Sequence, residues 1–152
     1  MGLEKLNNLY RDLLLDYANH PKHAQILPDA SRELTLHNMT CGDSLHLTAV
    51  IKDQTIAQIG YQATGCTISQ ASASIMSEAV LGKKTSEAQR MTLAFSKMTL
   101  GEELSPQEQD LLGDATLLSG VAQFPARIKC ATMAWKAIYQ LVEECQEDDK
   151  HE

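Results

Sequence analysis

The chain has 152 residues, 43% of them apolar and 22% charged, with a net charge of −7 and four cysteines. At this length a fold buries roughly two-thirds of the surface its unfolded form exposes, so a core forms without disulfide staples and the cysteines are free for chemistry. The acidic balance argues against nucleic acid and against anionic membrane surfaces, both of which call for a basic face.

Leu3, Leu6, Tyr10, Leu13, Leu14 and Tyr17 recur at helical spacing, which predicts an amphipathic helix over 3–18, ended before Pro21. Its interspersed charges do not make a signal peptide, Leu6 stands where the myristoylation pattern wants Ser or Thr, and no stretch approaches the ~20 apolar residues of a membrane span. We therefore expect a cytoplasmic protein, in a reducing compartment that favours free thiols, a metal site or redox catalysis over disulfides.

Past a loop the period changes to two. Leu45, Leu47, Ala49 and Ile51 alternate with polar residues, as do Ala57, Ile59, Tyr61 and Ala63 beyond a turn at Asp53-Gln54, which predicts a hairpin with one buried face. Leu34-Thr35-Leu36 is a third strand beside it. An Ala- and Ser-rich run over 66–81 reads as a helix closed by Gly82. Ser86 with Gln89, and Ser105-Pro106 with Glu108, read as capping boxes opening two more helices. Pro125 starts the last helix, in which Ile128, Ala131, Trp135, Ile138 and Val142 form a core-facing seam. The predicted fold class is α+β: a small three-stranded antiparallel sheet with helices packed on one face. Residues 1–142 are expected to form one domain. The last ten residues, 143–152, hold six acids and one lysine and are expected to be a frayed, solvated tail that carries −5 of the total charge.

Three cysteines have unusual neighbours. Cys41 lies in Thr40-Cys41-Gly42-Asp43, where Gly42 permits a tight turn and Asp43 adds an oxygen donor. Cys66 follows Gly65 and opens a helix, near unsatisfied N–H groups that favour thiolate. Cys130 follows Arg127 and Lys129 at the start of the last helix, where the two cations act in the same direction. Three thiolates and one carboxylate would satisfy a tetrahedral Zn²⁺. The spacing does not decide it: 24 residues separate Cys41 from Cys66 and 63 separate Cys66 from Cys130, unlike the local pairs of zinc fingers. On spacing alone the cysteines read as small buried hydrophobes sooner than as ligands.

Other groups carry blander readings. His20 and His23 read as surface residues of a polar loop, and His37 and His46 as ordinary strand histidines. Ser69, Ser72 and Ser74 suggest a hydroxyl nucleophile, but no histidine pattern supports one, and Ala71, Ser72, Ala73 and Ser74 read as small residues that let the helix pack closely. Cys145, beside the acidic run, reads as an inert thiol.

Three blocks change the balance. Asn38-Met39-Thr40-Cys41-Gly42-Asp43, Gly65-Cys66-Thr67-Ile68-Ser69-Gln70-Ala71-Ser72-Ala73-Ser74 and Phe124-Pro125-Ala126-Arg127-Ile128-Lys129-Cys130-Ala131 resemble, in order, the signature blocks of the IscU/SufU iron–sulfur cluster assembly proteins, related to the NifU N-terminal domain. Lys129 before Cys130, Arg127, and an extra helical segment from Gly101 to Val121 resemble the SufU branch; Phe124-Pro125-Ala126-Arg127 stands where IscU scaffolds carry a chaperone-recognised Leu-Pro-Pro-Val-Lys segment. Met39 departs from the family's usual proline. The resemblance implies a metal site at Cys41, Asp43, Cys66 and Cys130 that holds Zn²⁺, and transiently iron or an iron–sulfur cluster. It implies a sulfurtransferase-like role beside a SufS-type PLP-dependent cysteine desulfurase, in which a desulfurase histidine displaces Cys41 from zinc and frees it as sulfur acceptor. Arg127 supports the site, and sulfur passes on to downstream assembly scaffolds. The alternative is a scaffold that builds an iron–sulfur cluster on the same ligands. Three thiolates and a carboxylate around Zn²⁺ leave a formal charge of −2, which calls for nearby cations such as Arg127 and Lys129.

Overall fold

A computed structural model of the chain describes residues 2–39 and 42–151, with side chains over 11–39 and 42–144. Helix α1 (Gly2–Asn19) comes first, and Leu14 and Tyr17 on its inner side pack onto the core. The helix stops just before Pro21, which disfavours helical backbone at the residue preceding it.

Three antiparallel strands follow, β1 (Arg32–Asn38), β2 (Asp43–Lys52) and β3 (Thr55–Thr64), in the spatial order β1-β2-β3. Leu34 faces Leu47 and Leu36 faces Leu45 across β1–β2; Leu47 faces Tyr61 and Ala49 faces Ile59 across β2–β3. This is the predicted apolar face. The hairpin turn puts Asp53 and Gln54 at φ 51° and 60°, the two positive values whose twist matches that of the flanking strands. The predicted alternation fails at one end. A register shift between Val50 and Ile51 pairs Ile51 with Ile56, so Ile56 is buried and Ala57 is exposed. A bulge inserts one residue and so reverses which side chains face inward beyond it.

Helices α2 (Thr67–Val80), α3 (Thr85–Thr99), α4 (Pro106–Leu112) and α5 (Pro125–His151), with a 3₁₀ segment (Gly113–Gln123) before α5, complete the chain. Leu81 and Gly82 (φ 82°) close α2 as expected. The box predicted at Ser86 is not formed. Helix α3 starts two residues earlier, with Lys84 as an N-cap that makes no side-chain bond, and the Thr85 N–H donates to the Gln54 carbonyl of the hairpin turn (2.9 Å). Tertiary contact does there what a local cap does elsewhere. The box at α4 is complete: the Glu108 N–H donates to Ser105 Oγ (3.2 Å) and the Ser105 N–H to Glu108 Oε1 (2.9 Å).

Helix α5 is the centre of the core. Ala131, Trp135, Ile138 and Val142 are fully buried, as are Cys130, Ala137 and Leu141, so the buried surface is wider than the predicted seam. Trp135 stacks on Phe95 of α3 with ring centroids 4.6 Å apart. The Ser72 hydroxyl donates to the Ala131 carbonyl, which shows why α2 is rich in small residues: they let its backbone approach α5. Helix α5 also continues through the acidic run that was expected to fray from 143; no Pro or Gly interrupts the backbone there.

The opposite face of the sheet is partly covered by the segment after α1. The Leu27 N–H donates to Thr48 Oγ1 (3.1 Å), whose hydroxyl donates to the Gly60 carbonyl (2.7 Å). A Cβ on Gly60 would lie 2.0 Å from the Gln25 carbonyl oxygen, so only glycine permits this crossing. Among the described residues no helix is long and apolar enough to cross a membrane.

Candidate metal centre

Three junctions of the fold converge at one end of the sheet. Asp43 is the first residue of β2, preceded by Gly42 in a left-handed turn (φ 70°). Cys66 is the N-cap of α2, preceded by Gly65 at φ 139°. Cys130 lies one turn inside α5, deeper than its predicted place in the first turn, and is fully buried. One ligand atom each from Asp43, Cys66 and Cys130 lie within 4.8 Å of one another. Of the four predicted ligands these are the three that the structure brings together; Cys41, the predicted sulfur acceptor, lies outside the described residues.

Hydrogen bonds hold the group in place. Asp43 Oδ1 accepts from the Cys66 N–H (3.0 Å), and Asp43 Oδ2 accepts from the Ser69 hydroxyl (2.6 Å). Cys66 Sγ accepts from the Ser69 N–H (3.4 Å), so one sulfur atom caps α2 and borders the centre. The Asn38 amide donates to Cys130 Sγ (3.9 Å). Gly65 leaves the space for this arrangement, since a Cβ there would lie 2.0 Å from Asp43 Oδ1.

The electrostatics favour anions. Burial opposes ionisation of Asp43, but the Ser69 hydroxyl and the Cys66 N–H, helped by Cys130 and Arg127, outweigh it and hold the carboxyl below its ordinary range. Cys66 follows the same pattern: burial raises its pKa, bonds from Ser69 and Cys130 lower it further, and the result lies below an ordinary thiol despite the Asp43 charge. The Arg127 guanidinium is held protonated by its bond to Cys130 and by the charges of Cys66 and Cys130. Arg127, exposed like Lys129, is thus a cation that answers the site's charge.

Two sulfurs and a carboxylate oxygen are a donor set that Zn²⁺ takes, and tetrahedral bonds of ~2.0–2.3 Å would place ligand atoms about 3.5–3.8 Å apart. The 4.0 Å between Cys66 Sγ and Asp43 Oδ2 is close to that spacing, so the residues fit such an ion. Among the described residues no histidine joins them. His23 Nε2 lies 2.8 Å from Glu78, His46 Nδ1 lies 2.6 Å from Thr35 Oγ1, and His20 and His37 are exposed. The cluster also contains two side chains that reading the sequence missed. Ser69 reads from the sequence only as an unsupported nucleophile candidate, although a hydroxyl three positions after a helix-opening cysteine is placed to meet its neighbours; Asn38 stands inside a signature block without a role.

The NifU-like N-terminal domain matches this chain over residues 9–144. The iron–sulfur cluster assembly scaffold protein IscU of Streptococcus pyogenes serotype M1 is 43% identical over 142 residues, 93% of this chain and 87% of that protein. The zinc-dependent sulfurtransferase SufU of Bacillus subtilis strain 168 is 40% identical over 133 residues, 88% of each. Among solved structures, a candidate iron–sulfur cluster assembly scaffold for the SUF system from Fervidobacterium islandicum AW-1 superposes with a TM-score of 0.81 at 28% identity, covering 86% of this chain and 93% of that one.

Proposed function

Because this chain belongs to the family of NifU-like N-terminal domains, we propose that it is a zinc-dependent sulfur acceptor of iron–sulfur cluster assembly, charged with persulfide sulfur on Cys41 by a PLP-containing cysteine desulfurase. The observation that carries the reading is the meeting of buried Asp43 and Cys130 with half-buried Cys66. Residues 1–142 are the domain that serves it, and the cytoplasm, where thiols stay reduced, is its setting.

Zinc would be held by Asp43, Cys66 and Cys130 together with Cys41, two positions from Asp43 in the chain; when bound, it keeps these thiols deprotonated and tempers their nucleophilicity. The chain's own residues do the rest. Asp43, clamped on both oxygens, and Cys130, fully buried, are the fixed members of the set. Cys41 is the member that reacts. Its thiolate attacks the outer sulfur of the desulfurase persulfide, a new sulfur–sulfur bond forms on Cys41, and the desulfurase cysteine leaves as thiolate. Arg127 stabilises the negative charge of the site and stands at its exposed rim, facing an incoming partner.

The decisive experiment measures desulfurase turnover with the zinc-loaded protein and with Cys41→Ala. Stimulation by the first and its loss in the second are expected; turnover that neither changes would sink the reading. The identity to a protein named as a scaffold supports a second reading, in which the same ligands assemble a cluster. Anaerobic reconstitution with iron and sulfide, followed by intact transfer of the cluster to an acceptor, would favour it.

A further inference from the structure

The Ser69 side chain is buried and touches every member of the cluster: Asp43 Oδ2 at 2.6 Å, the Cys130 carbonyl oxygen at 3.3 Å and Cys66 Sγ at 3.5 Å. A hydroxyl has one proton to give. The 2.6 Å contact is in the range of a charge-assisted O–H···O⁻ bond, so the proton goes to Asp43. Because Asp43 Oδ1 already accepts from the Cys66 N–H, each carboxylate oxygen then has one fixed donor, and the group cannot turn about its own axis. The Ser69 N–H meanwhile donates to Cys66 Sγ. One residue thereby fixes the direction of two of the candidate ligands. Ser72, one position beyond the next turn's start, is equally buried but donates only to the Ala131 carbonyl.

We propose that Ser69 is a positioning residue of the metal centre, holding Asp43 in its ligating orientation through the hydroxyl bond to Oδ2 and coupling it to Cys66. This rests on the zinc reading above and names a residue on which that reading depends. Hydrogen-bond partners of metal ligands orient them, and their loss commonly weakens metal affinity about 10–100-fold.

The experiment measures zinc affinity by chelator competition in the full chain for wild type, Ser69→Ala, Ser69→Thr, Ser72→Ala, Asp43→Asn and the double variant Ser69→Ala/Asp43→Asn, and records the cobalt ligand-field bands of the Co²⁺-substituted wild type and single variants. Ser69→Ala is expected to weaken zinc binding about 10–100-fold and to shift the cobalt bands. Ser69→Thr, which keeps the hydroxyl, should restore both, and Ser72→Ala should change neither. In the Asp43→Asn background, removing the Ser69 hydroxyl should cost much less than in wild type. Affinity within threefold of wild type in Ser69→Ala, or the same loss with and without Asp43, overturns the proposal while leaving the zinc reading in place. If Ser69→Ala does not fold, the Thr variant decides: affinity and bands unlike wild type overturn the proposal, and a match supports it. A wild-type protein that takes neither zinc nor cobalt overturns both readings.

Discussion

Gly65 and Asp43 share one space: a Cβ on the glycine would sit 2.0 Å from Asp43 Oδ1 and 2.6 Å from its Cγ, so the carboxylate occupies the volume that any side chain would need. The φ of 139° at Gly65 adds strain for every L residue. Gly65→Ala is therefore expected to displace Asp43 and weaken zinc binding by at least about 10-fold. Chelator competition checks it; an unchanged affinity would show that the carboxylate is not needed where it stands.

Gly60 makes the complementary case. A Cβ there would meet the Gln25 backbone oxygen at 2.0 Å, in a crossing remote from the metal centre. Backbone has no flexible end to swing away, so Gly60→Ala is expected to cost about 1–3 kcal/mol of stability, the usual scale of overpacking. Zinc affinity should stay close to wild type. A urea midpoint identical to wild type would mean the segment moves aside freely.

Tyr17 ties α1 to the 3₁₀ segment, donating to Asp114 Oδ2 (2.5 Å). Burial, then the bond and charge of Asp114, push its pKa up to about 12 from the ordinary 10.0. Because the folded-state value is raised, folding favours the neutral phenol: the contribution is fully present below pH 10 and is lost as pH rises towards 12. Urea midpoints of wild type and Tyr17→Phe should differ by a constant amount below pH 10 and converge above it. A difference that persists unchanged to pH 12 would contradict the assignment.

Removal of zinc should leave the fold standing. Leu45, Leu47, Ile56, Phe95, Trp135, Ile138 and Leu141 form a buried cluster that includes no candidate ligand. Structural zinc can supply ~10–16 kcal/mol to peptides with no core of their own, which is not the situation here. Chelation is expected to preserve the far-UV helical signal while raising hydrogen exchange around Gly42 and Gly65. Complete loss of helicity would count against an independent core.

What could be read from the sequence was whatever depends on local period and local chemistry. The alternation of Leu45, Leu47 and Ala49, the seam of α5 and the Ser105–Glu108 box appear as predicted, because each is fixed by neighbours in the chain. The failures arise where distant segments intervene. A bulge at Val50/Ile51 reverses the inward side at Ile56, and the start of α3 is set by Gln54 rather than by Ser86. The meeting of Asp43, Cys66 and Cys130 was expected from the resemblance of whole blocks, since nothing in their spacing predicts it. The clamp around them was not expected: Ser69 reaches Asp43 across 26 positions, and Asn38 reaches Cys130 across 92.

That span of 92 positions orders events during synthesis. Asp43 and Cys66 leave the ribosome early, yet the pocket has no floor until the first turns of α5 follow. A nascent chain can thus offer the metal only an open grip that lacks Cys130, and secure capture waits for nearly the whole polypeptide. The last helix is in this sense the latch of the centre, and a chain truncated before Pro125 would release whatever its first half had picked up.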